Sequence, residues 1–334
     1  PQRGFLRGNG VKHGKKLEDI DRVPAYWPDN ETIRGDMLDY SIEVEHFDTH
    51  LGRALKSLDD RGLAASTLVV ATSDHGMPFP RCKGQAYEHS NRLPLAMRWP
   101  NGINGTGRMV EDFVSFADFA PTFLDVALVK NPQGMEPITG KSLLPLLRSN
   151  KSGQVDAGRD HVIIGKERHD IGRPNDWGYP IRGIVTQDYL YLRNYEPTRW
   201  PAGNPETGYL NCDGGPTKTL ILNLRRSGDA QKYWNLCFGK RPAEELYCIS
   251  KDPDCVNNLA NDPDLAHLKK QLEAKMVDRL KREGDPRMFG KGHLLESYPY
   301  INKATVNFHR RYMAGEKVSA GWVNASDFEP KPLD

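Results

Sequence analysis

No apolar run in the 334-residue chain approaches the roughly 20 residues that a membrane-spanning helix needs. A membrane span is therefore not expected. Nor does one sign of charge dominate, because 46 Lys and Arg face 44 Asp and Glu for a formal net charge of +2. That balance gives no nucleic-acid footprint, though it is compatible with a local basic pocket. The chain opens at Pro1, with neither Met nor a signal-peptide pattern, and reads as processed or partial. Its length suits one large domain or two unequal lobes.

What is present centres on Thr-Leu-Val-Val-Ala-Thr-Ser-Asp-His-Gly at residues 67–76. Residues 68–71 form a short apolar run rich in β-branched side chains, the pattern of a strand buried on both faces, and the spacing predicts a central parallel strand. Side chains at the carboxyl end of such a strand enter the crevice where α/β proteins bind ligands. Asp74 and His75 arrive there as candidate metal ligands, and Gly76 permits the sharp turn that follows. Beyond the stiff Met77-Pro78-Phe79-Pro80 segment, Lys83 offers a compact positive charge suited to an anion. Residues 93–100 then predict a second strand.

The order of strand, Ser-Asp-His-Gly, Lys83, Asn91-Arg92-Leu93-Pro94-Leu95 and Arg98-Trp99-Pro100 resembles the formylglycine-dependent type I sulfatases of the alkaline-phosphatase-like superfamily. The nearest branch is the heparan N-sulfatase-like one, and the likeness covers nearly the whole chain as the carboxyl-terminal part of such an enzyme. The resemblance implies an α/β fold with a mostly parallel sheet flanked by helices, plus a smaller α+β lobe built on an antiparallel sheet. It implies hydrolysis of a sulfate ester or N-sulfate of a sulfated saccharide by a formylglycine nucleophile beside Ca2+, held in part by Asp74 and His75. An imidazole donor would also suit Mn2+ or Zn2+. Lys83 would contact the sulfate. Gln2 stands where the family carries a His near the sulfate, and a neutral amide cannot take over an acid-base role. The family's Cys-x-Pro-x-Arg nucleophile motif and its early Asp-Asp pair are both absent from the chain. A phosphatase or phosphodiesterase of the same superfamily, or a non-catalytic binder of sulfated glycans, are the alternative readings.

Along the chain, Met37, Tyr40, Val44, Phe47, Leu51, Leu55 and Leu58 recur at three- and four-residue steps, which predicts an amphipathic helix over residues 36–60. His46, Asp48 and His50 fall on its polar face. Residues 110–127 also predict a helix, with Phe113, Phe116, Phe119 and Phe123 as core, and residues 140–147 a short one. The apolar pattern lapses over residues 148–158, which places the lobe boundary at 155/156.

In the second lobe, residues 162–165 predict a strand, and residues 179–186 and 189–195 an antiparallel hairpin turning at Gln187-Asp188. Between them, Lys166, Arg168, His169, Arg173 and Trp177 are candidates for holding an acidic sugar, the cations by charge and Trp177 by stacking. Residues 259–281 predict a helix with a core stripe, and the tail from Gly284 is expected to lie along the first lobe. Among five cysteines, Cys248 and Cys255 flank an Asp-Pro turn where the resembled family carries acids, which points to a disulfide. Cys212 and Cys237 could form another, leaving Cys82 unmatched. On this basis an exported location, whether secreted, periplasmic or lysosome-like, is expected. Four Asn-x-Ser/Thr sequons, at Asn30, Asn104, Asn150 and Asn324, would matter in a eukaryotic secreted protein.

Overall fold

Asn30 opens the first long element, its side chain accepting the Ile33 amide at 3.1 Å as an N-cap. The computed structural model describes residues 7–333, except 131, 170, 319, 321 and 322, so Gln2 lies outside the described residues. Helix α1 runs Glu31–Asp60 and matches the periodicity. Its amino-terminal half buries Ile33 and Leu38, but Val44 and Phe47 are exposed, because no described element covers that part of the stripe. His46 and His50 meet edge-on on the exposed face, consistent with its polar character.

Strand β1 (Val69–Thr72) forms where expected, and β2 (Leu95–Arg98) follows. Their pairing differs from the expectation of a central parallel strand. Among the described residues β1 pairs antiparallel with β2 alone, from Val69 opposite Arg98 to Thr72 opposite Leu95. An apolar run reports that a strand is to be covered, not by which neighbour. Here β1 is only half-buried and Leu95 is exposed.

Helix α2 (Phe119–Val126) is preceded by a single 3-10 turn, and residues 110–115 are not helical. Phe116 stacks on Phe119, but Phe116 and Phe123 are exposed, so only part of the aromatic stripe is core. Helix α3 (Leu144–Arg148) carries Leu146 and Leu147 into a small core with Leu143.

The larger sheet is antiparallel throughout, in the order β3 (His161–Lys166), β4 (Ile181–Thr186), β5 (Tyr189–Asn194) and β6, the last strand in sequence. The β4–β5 hairpin turns at Gln187-Asp188, with Val185 opposite Leu190. Helices α4 (Pro216–Ser227) and α5 (Gln231–Cys237) come between this hairpin and β6 (Glu244–Cys248). Alternation sends Ile181, Val185, Leu190, Leu192 and Tyr247 to one face, against Tyr87 and Tyr179. Ile184, Tyr191 and Leu246 go to the other, where α6 (Ala266–Arg282) covers them with Leu272, Met276 and Leu280. A further core joins Tyr26, Trp27, Ile33, Phe79 and Cys82 to Leu210, Ile221, Trp234 and Phe238, so distant parts of the chain share one interior.

The described tail packs mainly on the second half of the chain, with Leu333 against the core that holds Tyr26 and Trp27, where the expectation was residues 1–155. Phe308, at the start of α7 (Phe308–Met313), is fully buried with Ile171 and Tyr209. Asp327 pairs with Lys218 at 3.2 Å, both side chains 0% exposed, and Glu329 pairs with Arg225 at 2.7 Å. These two pairs tie the end of the tail to α4.

Neither expected disulfide forms. All five cysteines are buried free thiols. The turn after β6 closes through the Asp252 amide on the Cys248 carbonyl at 2.7 Å, and the Cys248 thiol rests near Ser250 while Cys255 joins the Tyr87 side of the sheet core. Cys212 and Cys237 fill separate places in the core around Trp27.

Candidate functional site

At the end of β1 the chain turns through Ser73, whose hydroxyl donates to the His75 carbonyl at 2.7 Å. This turn presents Asp74 with its side chain 86% exposed, and His75 with Nε2 3.7 Å from Asp74 Oδ1. His75 Nδ1 lies 2.5 Å from the Gly76 carbonyl. A Cβ on Gly76 would stand 2.2 Å from the His89 carbonyl oxygen, so only glycine permits the 88–91 turn to pass this close.

Asp74 and His75 open onto a broad cleft of about 2260 Å3, which Gly84, Gln85, Lys166 and His169 also line. Two of the five candidate sugar contacts are thus brought to the same cleft as the candidate metal ligands. Lys166 spans from β3 to donate to the Gly84 carbonyl at 2.7 Å and the Pro201 carbonyl at 3.2 Å. His169 is exposed beside Gly84, its Nδ1 2.9 Å from where a Cβ would be.

The other three are elsewhere. Arg168 donates to the Tyr298 carbonyl at 2.7 Å and lies over the Tyr300 ring, which ties it to the tail. Arg173 is a correction to the sugar-binding set. It is 1% exposed and donates to the carbonyls of Trp200, Trp177 and Pro201, so its guanidinium clamps a loop from inside. Trp177 is exposed, with the Arg199 guanidinium 4.8 Å from its ring centroid.

Lys83 lies just beneath the cleft lining, 7% exposed, with Nζ donating to Asp213 Oδ1 at 2.6 Å. Arg81, the other cation of this loop, is buried, donates to the carbonyls of Leu236 and Cys255, and lies over Tyr87, which makes it a core strut. Cys82 offers no nucleophile, since burial pushes its thiol up to about 12.

Sequence reasoning missed Asn211 and Asp213. Asn211 is 2% exposed, accepts from the Tyr209 hydroxyl at 3.1 Å and places Nδ2 3.4 Å from the Gly84 carbonyl. Their only local signal is a Gly-rich run ahead of α4, which reads as a loop.

Asp74 and His75 supply one carboxylate and one imidazole, and no group of three or more His, Cys, Asp or Glu gathers among the described residues. Ca2+ takes about six to eight oxygen ligands. These residues alone therefore do not make a Ca2+ site.

Residues 16–129 match the family described as Sulfatase, and residues 81–199 match the N-sulphoglucosamine sulphohydrolase carboxyl-terminal family. The chain is 28% identical over 260 residues to an ulvan-active sulfatase of Formosa agariphila, covering 75% of this chain and 40% of that protein. It is 27% identical over 282 residues to the N-sulphoglucosamine sulphohydrolase of Homo sapiens, covering 82% of this chain and 53% of that one. The chain thus spans about half the length of the curated relatives it matches. A solved structure in complex with its substrate D-glucosamine-2-N,6-O-disulfate shares the fold at a TM-score of 0.54 and 24% identity, over 76% of this chain and 42% of that one.

Proposed function

Because the overlapping span from residue 16 to residue 199 belongs to the sulfatase family, with a heparan N-sulfatase-like second half, we propose that the complete protein hydrolyses the sulfate ester or N-sulfate of a sulfated saccharide. One observation carries this reading. Asp74 stands exposed at the carboxyl end of β1, on the cleft that Lys166 and His169 share.

In this reading Asp74 and His75 contribute two donors to a divalent cation, Ca2+ by the family resemblance, whose other donors lie outside the described residues. Lys83 meets the sulfate from beneath Gly84, offering a compact ammonium to a tetrahedral anion. Lys166 and His169 face the sugar, and Trp177 gives an exposed ring for a more distant one. The formylglycine nucleophile belongs to a part of the complete protein other than these residues. An exported location now rests on the resemblance alone, since the thiols are unpaired. Among the described residues no helix is long and apolar enough to cross a membrane.

Crystals of the complete protein grown with D-glucosamine-2-N,6-O-disulfate test the placement. The expected density puts one sulfate between Asp74 and Gly84 with the sugar toward His169. A saccharide bound away from this cleft would overturn it.

A further inference from the structure

Two segments that are far apart in sequence are zipped together directly under the cleft. The Asp213 amide donates to the Pro78 carbonyl at 3.1 Å, Lys83 Nζ donates to Asp213 Oδ1 at 2.6 Å, and Asn211 Nδ2 approaches the Gly84 carbonyl at 3.4 Å. We propose that Asp213 is a positioning residue that holds the Lys83 ammonium in place for the anionic group of the substrate. This rests on the assignment of Lys83 to the sulfate made above.

The geometry shows a segment built to hold this contact. Gly208, Leu210 and Asn211 have φ of 65°, 51° and 48°, left-handed conformations that are uncommon for the two residues with side chains. Lys218 holds this bend from below, its Nζ on the Gly208 carbonyl at 2.7 Å and the Tyr209 carbonyl at 3.0 Å. Gly84 meets it at φ 64°, where a Cβ would lie 2.2 Å from Asn211 Nδ2.

Asp213 is 8% exposed, and its Oδ2 has no hydrogen-bond partner among the described residues. Its Oδ1 accepts from Lys83 Nζ. A lysine ammonium rides on a flexible four-carbon stem, and an ion pair in a nearly dry setting fixes where that charge sits. The residue that follows, Gly84, is at the cleft surface.

A purely structural ion pair would have the same distances, so the test must separate positioning from folding. In the complete protein, Lys83→Met, Asp213→Leu, the double variant and Asp213→Asn are compared for thermal midpoint, kcat and KM in sulfate release. Replacing both charges by apolar groups should return the midpoint close to that of the parent, because neither charge is left uncompensated. Turnover should not return with it. Asp213→Asn should lower kcat roughly 10- to 100-fold with a smaller change in KM, a range common for residues that orient a functional group. In the Lys83→Met background, Asp213→Leu should cost no further kcat. Parental turnover in the double variant, or an equal loss from Asp213 substitution with and without Lys83, would overturn the inference while leaving the sulfatase reading intact. No sulfate release by the parent protein would sink both.

Discussion

Asp74→Ala in the complete protein should remove sulfate release by roughly three powers of ten or more while leaving the fold untouched, as losing a group that fixes an essential cation does. The structural reason is its exposure. With the side chain 86% exposed and its nearest recorded partner His75 at 3.7 Å, Asp74 supports no packing that its loss would disturb. Substitutions at such surface positions usually change stability by less than about 0.5 kcal/mol. A large loss of turnover at an unchanged thermal midpoint would therefore report the site. Metal content by elemental analysis gives the independent readout, with the variant expected to lose the cation that the parent retains. Equal metal content in parent and variant would remove Asp74 from the ligand set.

The largest effect on stability is expected from Lys218→Met. Lys218 and Asp327 are both 0% exposed, with Nζ 3.2 Å from Asp327 Oδ2 and hydrogen-bonded to two carbonyls of the 208–213 bend. Methionine nearly keeps the volume but leaves the Asp327 carboxylate without its countercharge and two carbonyls without their donor. Removing one partner of a buried pair costs about 3–5 kcal/mol. For a chain of this size that is a fall in Tm of roughly 4–7 °C. A change within about 2 °C would show that the tail is not anchored through this pair. Turnover should fall as well, because the same ammonium supports the bend carrying Asn211 and Asp213.

The elements most legible in the sequence were those whose pattern is local. The 3.6-residue stripe of α1, the alternation of β4 and β5 about Gln187-Asp188, and the stripe of α6 all appear in the structure. The turn bearing Asp74 and His75 also stands at a strand end, as the run before it implied. What periodicity left open was partner and depth. It could not say that β1 would meet β2 antiparallel, or that Val44 and Phe47 would lie exposed on an otherwise regular stripe. Strand β6 was hidden because Glu244 and Glu245 begin it. Glu245 is buried by accepting from the hydroxyls of Tyr87 and Tyr247, partners that no local pattern reveals.

Charge posed the same difficulty at the site. Lys83, Lys166 and Arg173 all read as available cations, and each is instead engaged with groups remote in sequence. Arg173 is 1% exposed and donates to the carbonyls of Trp177, Trp200 and Pro201, which turns its guanidinium inward and away from a sugar. Asp213 was overlooked because its role depends on a lysine 130 residues away. The cysteines misled for a related reason, since close spacing and a proline turn do not bring two thiols together when Cys255 turns into the sheet core.

The most direct test of the account is release of inorganic sulfate by the complete protein, followed by ion chromatography with glucosamine N-sulfate, glucosamine 6-O-sulfate and the corresponding 6-phosphate as substrates. The account predicts sulfate from at least one sulfated sugar and no comparable phosphate release, with the activity lost in Asp74→Ala. Phosphate release with both sulfated sugars intact, or tight binding of all three without any hydrolysis, would contradict it.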